Sequence, residues 1–135
     1  MALLSWNDTY SVKIRKFDDQ HKKLIDLINQ LHDSMLVGKG KDVMGEVLNS
    51  LVDYTKTHFT AEETLMRLHN YPDYESHKKE HSMLVMQVLD IQKQLKEGKS
   101  PITQAVMFFL REWLQKHIQG NDKKYGPYLN EKGIS

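Results

Sequence analysis

Apolar residues recur at intervals of three and four almost everywhere after Phe17, the pattern of amphipathic helices. The first predicted helix starts near Asp18 or Asp19, carboxylates suited to a helix start. It runs through Leu24, Ile25, Ile28, Leu31 and Met35 to the breaker Gly38-Lys39-Gly40. The second carries Val43, Val47, Leu48, Leu51, Val52, Tyr54, Phe59, Leu65 and Met66 and ends near Asn70. Pro72 fits only a first turn, so the third helix is predicted to begin there and to continue through Leu84, Val88, Ile91 and Leu95 to Gly98. Ser100-Pro101 reads as a cap and a first-position proline for the fourth, which carries Val106, Phe109, Leu110, Trp113, Leu114 and Ile118. Gly120 interrupts that helix, and Gly126-Pro127 ends the ordered pattern.

Short connections force sequential helices to be antiparallel neighbours, so the predicted class is all-α: an up-down-up-down four-helix bundle over about 18–131. Residues 1–17 hold Trp6, Tyr10, Val12 and Ile14, too apolar for a solvated tail, and are expected to form an arm packed on the bundle. No internal repeat is present, and 1–135 reads as one domain.

Composition narrows the function classes. The 135 residues are 39% hydrophobic and 27% charged, enough for one core. Lys plus Arg total 19 against 18 Asp plus Glu, so the net charge of +1 provides no basic field for nucleic acid or an anionic membrane. No run approaches the roughly 20 apolar residues of a membrane span, and the start MALLSWNDTY lacks a secretory pattern, so a cytoplasmic monomer is expected. Cysteine is absent, which removes disulfides, iron-sulfur clusters, thiolate-bound zinc and any cysteine nucleophile. Histidine occurs seven times.

His58 and Glu62 are four apart on the second predicted helix, and His77 and His81 four apart on the third, so each pair shares a helix face. Both pairs are in register with their apolar stripes, as are His21 on the first helix and His117 on the fourth. His21 and the His77/His81 pair stand near helix starts; His58, Glu62 and His117 stand near helix ends. In an antiparallel bundle those positions coincide, so five histidines are predicted to form one layer at one end. Asp122, five residues past His117, would point away on a regular helix; a distorted or π-like stretch over 118–122 is predicted to swing it inward. His32 lies on nearly the face of His21 but roughly 16 Å along the axis, too deep to join. His69, in the turn before Pro72, is expected to face solvent, and Tyr54 is a candidate neighbour of the site.

Five imidazoles and two carboxylates turned toward a core are costly to desolvate unless they bind something. Imidazole with carboxylate suits iron, zinc, copper or manganese, and the donors are too many for one ion. Two six-coordinate ions sharing both carboxylates and a single-atom bridge would keep one position open, as a ligand-binding site does.

The chain resembles the hemerythrin family, specifically its single-domain bacterial members. The residues that carry the resemblance are Trp6, Asp18-Asp19-Gln20-His21, His58-Phe59 with Glu62-Glu63, His77-Lys78-Lys79-Glu80-His81, and Trp113-Leu114 with His117-Ile118 and Asp122. The resemblance implies a non-haem di-iron centre: one iron on His77, His81 and His117, the other on His21 and His58, with Glu62 and Asp122 bridging. It implies reversible dioxygen binding at the two-histidine iron, for oxygen transport, storage or delivery to an unidentified protein recipient. It also implies an oxygen pocket bordered by Leu24, Phe59, Trp113, Leu114 and Ile118, whose apolar character excludes water.

Other readings compete. Oxygen, redox or nitric oxide sensing would use the same centre. His77-Lys78-Lys79-Glu80-His81 also fits the His-x-x-Glu-His pattern of a class of zinc peptidases, with Glu80 as general base, but leaves the other donors unexplained. A purely structural bundle would not gather five histidines at one level. Carboxylate-rich di-iron oxidases use Glu-x-x-His, which does not occur here, so the chain is read as a binding protein rather than an enzyme. Gly38-Lys39-Gly40-Lys41 lacks the strand and the spacing of a phosphate loop and reads as a turn.

Overall fold

The computed structural model describes residues 3–38, 41–99 and 101–135. Helices α1 (Arg15–Leu36), α2 (Lys41–Leu68), α3 (Tyr74–Lys96) and α4 (Gln104–Lys116) form an antiparallel four-helix bundle in which α1 packs on α2 and α4, and α2 on α3. The fourth rod continues through a π-helical segment, His117–Asp122, into α5 (Lys123–Glu131). Among the described residues no helix is long and apolar enough to cross a membrane.

Several element ends differ from expectation for local reasons. Helix α1 begins at Arg15, ahead of Asp18, because the Asp18 N–H already bonds the Ile14 carbonyl at 2.9 Å. The Asp18 carboxylate holds the arm instead, accepting the Ser11 hydroxyl at 2.7 Å and the Val12 N–H at 2.8 Å. Gly38 closes α1 with φ 68°, whereas Lys39 and Gly40, the rest of the expected breaker, lie outside the described residues. Helix α2 ends with Asn70 in the left-handed region at φ 55° and Tyr71 donating back to the Met66 carbonyl at 2.9 Å, a Schellman-type stop. The chain then needs Pro72 and Asp73 to turn, and α3 starts at Tyr74 rather than at the proline. Ser100, the expected cap of the fourth helix, lies outside the described residues; the cap is Thr103, whose hydroxyl accepts the Val106 N–H at 3.2 Å, so Pro101 precedes the helix.

Gly126-Pro127 does not end the order, since both lie inside α5. A Cβ at Gly126 would stand 2.5 Å from the Val12 carbonyl oxygen, so glycine is there to let the arm's backbone approach the helix. Pro127 is exposed, and its lost N–H bond is outweighed by packing of Tyr125 and Leu129, both fully buried.

Two apolar clusters fill the interior. The larger runs along the bundle through Leu24, Ile28, Leu51, Phe59, Val88, Leu110 and Leu114. The smaller joins the arm to the site end through Val12, Ile14, Phe17, Met66, Tyr71, Tyr125 and Leu129. Tyr10 is buried with Leu4 against the larger cluster, and Trp6 packs beside it under Lys22. The candidate histidines fall between the two clusters.

Candidate metal centre

Helical spacing delivers the donors. His58 and Glu62 share a face of α2, His77 and His81 a face of α3, and His21 enters from the start of α1. The π segment spans His117 to Asp122, and its wider turn returns Asp122 to the face of His117. All seven residues are at most 3% exposed. They form two convergent donor groups, Glu62, His77, His81, His117 and Asp122 in one and His21, His58, Glu62 and Asp122 in the other, with donor atoms within 4.8 Å of one another. The groups share both carboxylates and divide the histidines three and two.

Every imidazole presents Nε2 to the centre. His77 and His117 approach Asp122 Oδ1 at 2.9 and 3.1 Å, while His21 approaches Oδ2 at 3.0 Å. Glu62 Oε1 lies 3.3 Å from Nε2 of both His58 and His81, and Oε2 lies 3.3 Å from His21. His21 meets Glu62 Oε2, and His81 meets His117 at 3.0 Å, within hydrogen-bonding geometry, but His58 Nε2, His77 Nε2, Glu62 Oε1 and both Asp122 oxygens are buried without a hydrogen-bond partner. Buried polar atoms that converge without bonding one another are aimed at a common point, the arrangement a metal ion satisfies. Nitrogen and carboxylate-oxygen donors with no thiolate fit iron.

The electrostatics agree. Burial would raise both carboxyls, but the imidazoles around them hold Glu62 and Asp122 well below the usual carboxylate range. Burial would lower His21, yet the facing carboxylates of Asp122 and Glu62 push it up to about 10. Burial wins at His58, whose value is lowered.

The far sides of the rings are also fixed. His58 Nδ1 meets Gln20 Oε1 at 2.5 Å and His81 Nδ1 meets Glu63 Oε2 at 2.9 Å. Both partners accept, so each Nδ1 carries the proton and each Nε2 keeps a free lone pair for the centre. The Asn121 amide, 3.4 Å from His117 Nδ1, donates to Glu80 at 2.5 Å. The buried Tyr125 hydroxyl donates to Glu62 Oε2. Phe59 lies flat on His81, with ring centres 3.7 Å apart and planes 1° apart, and Trp113 covers His117 at 4.4 Å.

Beside the layer a cavity of about 20 Å³, room for roughly one small molecule, has Leu24, Phe59, Trp113 and Leu114 among its walls. Ile118 is buried nearby but is not among its walls, which are completed by Ile28, Leu51, Thr55, Leu84, Val88 and Leu110. Tyr54 is half-buried and Thr55 takes the cavity position. His32 is buried at 8% exposure but belongs to neither donor group. His69 is partly buried rather than solvent-facing because the Tyr128 hydroxyl bonds its carbonyl and closes the turn. Glu80 is tied to Asn121 and stands outside both donor groups, against the peptidase assignment. Sequence reasoning missed Gln20, Glu63, Asn121, Tyr125 and Thr55. Only adjacency to His21, Glu62 and Asp122 could have flagged the first three, and a one-turn step from Asp122 the fourth.

Residues 12–129 match the family model described as the hemerythrin HHE cation binding domain. The chain is 39% identical to a bacteriohemerythrin of Methylococcus capsulatus, over 96% of this chain and 99% of that protein. It is 37% identical to a myohemerythrin of Theromyzon tessulatum, over 89% of this chain and 88% of that one. A solved wild-type hemerythrin structure superposes with a TM-score of 0.89 at 38% identity, over 93% of this chain and 97% of that chain. The match spans the arm, all four rods and the whole histidine layer, so the chain belongs to the hemerythrin family.

Proposed function

We propose that this chain binds dioxygen reversibly at a non-haem di-iron centre and serves oxygen transport, storage or delivery as a cytoplasmic monomer, not as an enzyme. The observation that carries the reading is the pair of donor groups that share both carboxylates and divide the histidines three and two. Relatives named bacteriohemerythrin and myohemerythrin support it.

In this reading His77, His81 and His117 would hold one iron, His21 and His58 the other, and Glu62 and Asp122 would serve both. Asp122 supports bridging directly, with Oδ1 turned to His77 and His117 and Oδ2 to His21. A di-iron pair supplies reversible two-electron chemistry toward dioxygen. The chain's own residues supply the rest. Gln20 and Glu63 hold the His58 and His81 rings in the tautomer a metal needs, and Tyr125 fixes Glu62. Phe59 and Trp113 restrain His81 and His117 by stacking. Leu24, Phe59, Trp113 and Leu114 keep the cavity beside the centre apolar, which admits a small neutral molecule and discourages water and protons. Neither sensing nor peptide hydrolysis has a comparable feature in its favour. Elemental analysis of the purified chain tests the reading: two irons per chain are expected, and a single zinc would overturn it.

A further inference from the structure

All seven donors are buried, so an ion must pass through protein to reach them, and the two sides of the layer offer different passages. The cavity on one side is walled by nine apolar side chains and Thr55, and a hydrated dication cannot shed its water there without replacement oxygens. On the other side a cleft of about 40 Å³ lies between the start of α3 and the π segment. Asp73, Ser76 and Glu80 offer oxygens around it, Tyr71, Asn121 and Lys124 complete the rim, and His77 lines it from within. His77 is 3% exposed and lines this cleft while its Nε2, without a hydrogen-bond partner, is turned inward to the centre, so a metal donor forms the inner wall behind the oxygen-bearing rim. With His117 it is the least covered of the seven. Glu80 is joined through Asn121 to the segment that carries His117 and Asp122.

We infer that this cleft is the loading route of the centre, in which Asp73 and Glu80 capture a divalent cation, replace part of its hydration shell and pass it to His77. Hard divalent ions prefer such oxygen donors while they dehydrate, and two carboxylates beside one lysine leave the mouth attractive to a cation. Lys124 opposes capture. The inference rests on the metal-centre reading, and its test separates the two.

The probe is Co²⁺ alone, added to the metal-free full-length chain at low ionic strength, with uptake rate and final stoichiometry followed by visible absorbance. Asp73→Asn and Glu80→Gln, the latter still able to accept the Asn121 bond, are each expected to slow uptake about three- to tenfold. Lys124→Gln is expected to speed it, and two ions per chain are expected in every case. Glu46→Gln, an equal loss of charge on the exposed face of α2 at the opposite end, should leave the rate unchanged. Release of iron from the loaded chain to excess chelator is a second readout that does not require a folded metal-free protein; Asp73→Asn and Glu80→Gln should slow it similarly with unchanged affinity. Uptake and release in these two variants matching Glu46→Gln would overturn the loading route. A wild-type chain that takes up fewer than two ions would overturn the centre itself.

Discussion

The two apolar clusters that flank the histidine layer are built in opposite ways. The larger one, on the bundle side, is mainly aliphatic and leaves a small cavity against Phe59, Trp113 and Leu114. The smaller one, on the arm side, is close-packed and aromatic. Phe17 stands edge-on to Tyr125 at 5.6 Å and to His58 at 6.0 Å, and the Tyr125 hydroxyl reaches through to Glu62. One side therefore encloses a small apolar space with almost no hydrogen-bonding groups; the other surrounds the donors with packed aromatic rings and hydrogen bonds, and its one small cleft is polar. The contrast separates two tasks usually merged in talk of a metal pocket: holding the ions and admitting the ligand. The arm serves the first task. Gly126 admits the Val12 backbone, and that contact helps seat α5 and its Tyr125.

The largest expected effect breaks the holding side outright. His77→Ala removes a donor shared by nothing else in its group and should abolish stable iron loading. His32→Ala, the replacement of another buried histidine outside the layer, should leave two irons per chain. Metal analysis of both variants decides this, and equal loss would refute the distinction by depth. Next in size, Tyr125→Phe removes the hydroxyl from Glu62 while keeping the ring, and should weaken iron binding about 10- to 100-fold in a chelator competition. Oxidation of the oxygenated protein in air should hardly change. Leu24→Ala should do the reverse. It enlarges the cavity, costs about 2–5 kcal/mol of stability in thermal melts and accelerates that oxidation several-fold by letting water in, with little change in iron affinity. A variant on either side that moved both readouts equally would erase the separation.

The smallest effect concerns pH and the metal-free chain. His21 is raised from its ordinary 6.5 to about 10, so its stabilisation is complete below pH 6.5 and disappears as pH climbs toward 10. Glu62 and Asp122 are lowered, so their contribution is present above their ordinary values of 4.5 and 3.8 and is lost in acid. The melting temperature of metal-free protein should thus peak between about pH 4.5 and 6.5. Iron binding requires neutral His21, so loading should release protons and flatten the alkaline decline.

Much of the holding side was legible in the chain because it obeys helical arithmetic. His58 with Glu62 and His77 with His81 share faces by spacing alone, and the awkward five-residue step from His117 to Asp122 announced the π segment. The supports were not legible, because Gln20 meets His58 and Glu63 meets His81 across helix pairs, where register, not spacing, decides the contact. Gly126-Pro127 misled for a related reason. Its local meaning is a stop, and only the tertiary approach of Val12 explains why a helix keeps both residues. Ile118, set at the pocket's border by the family resemblance, is fully buried without lining the cavity, whereas Thr55 of α2 does line it.

The most direct test of the account is the visible spectrum of anaerobically iron-loaded protein cycled between air and argon. A charge-transfer band should grow in air and disappear on deoxygenation over repeated cycles. A chain that stays colourless in air, or whose colour forms once and never reverses, would contradict it.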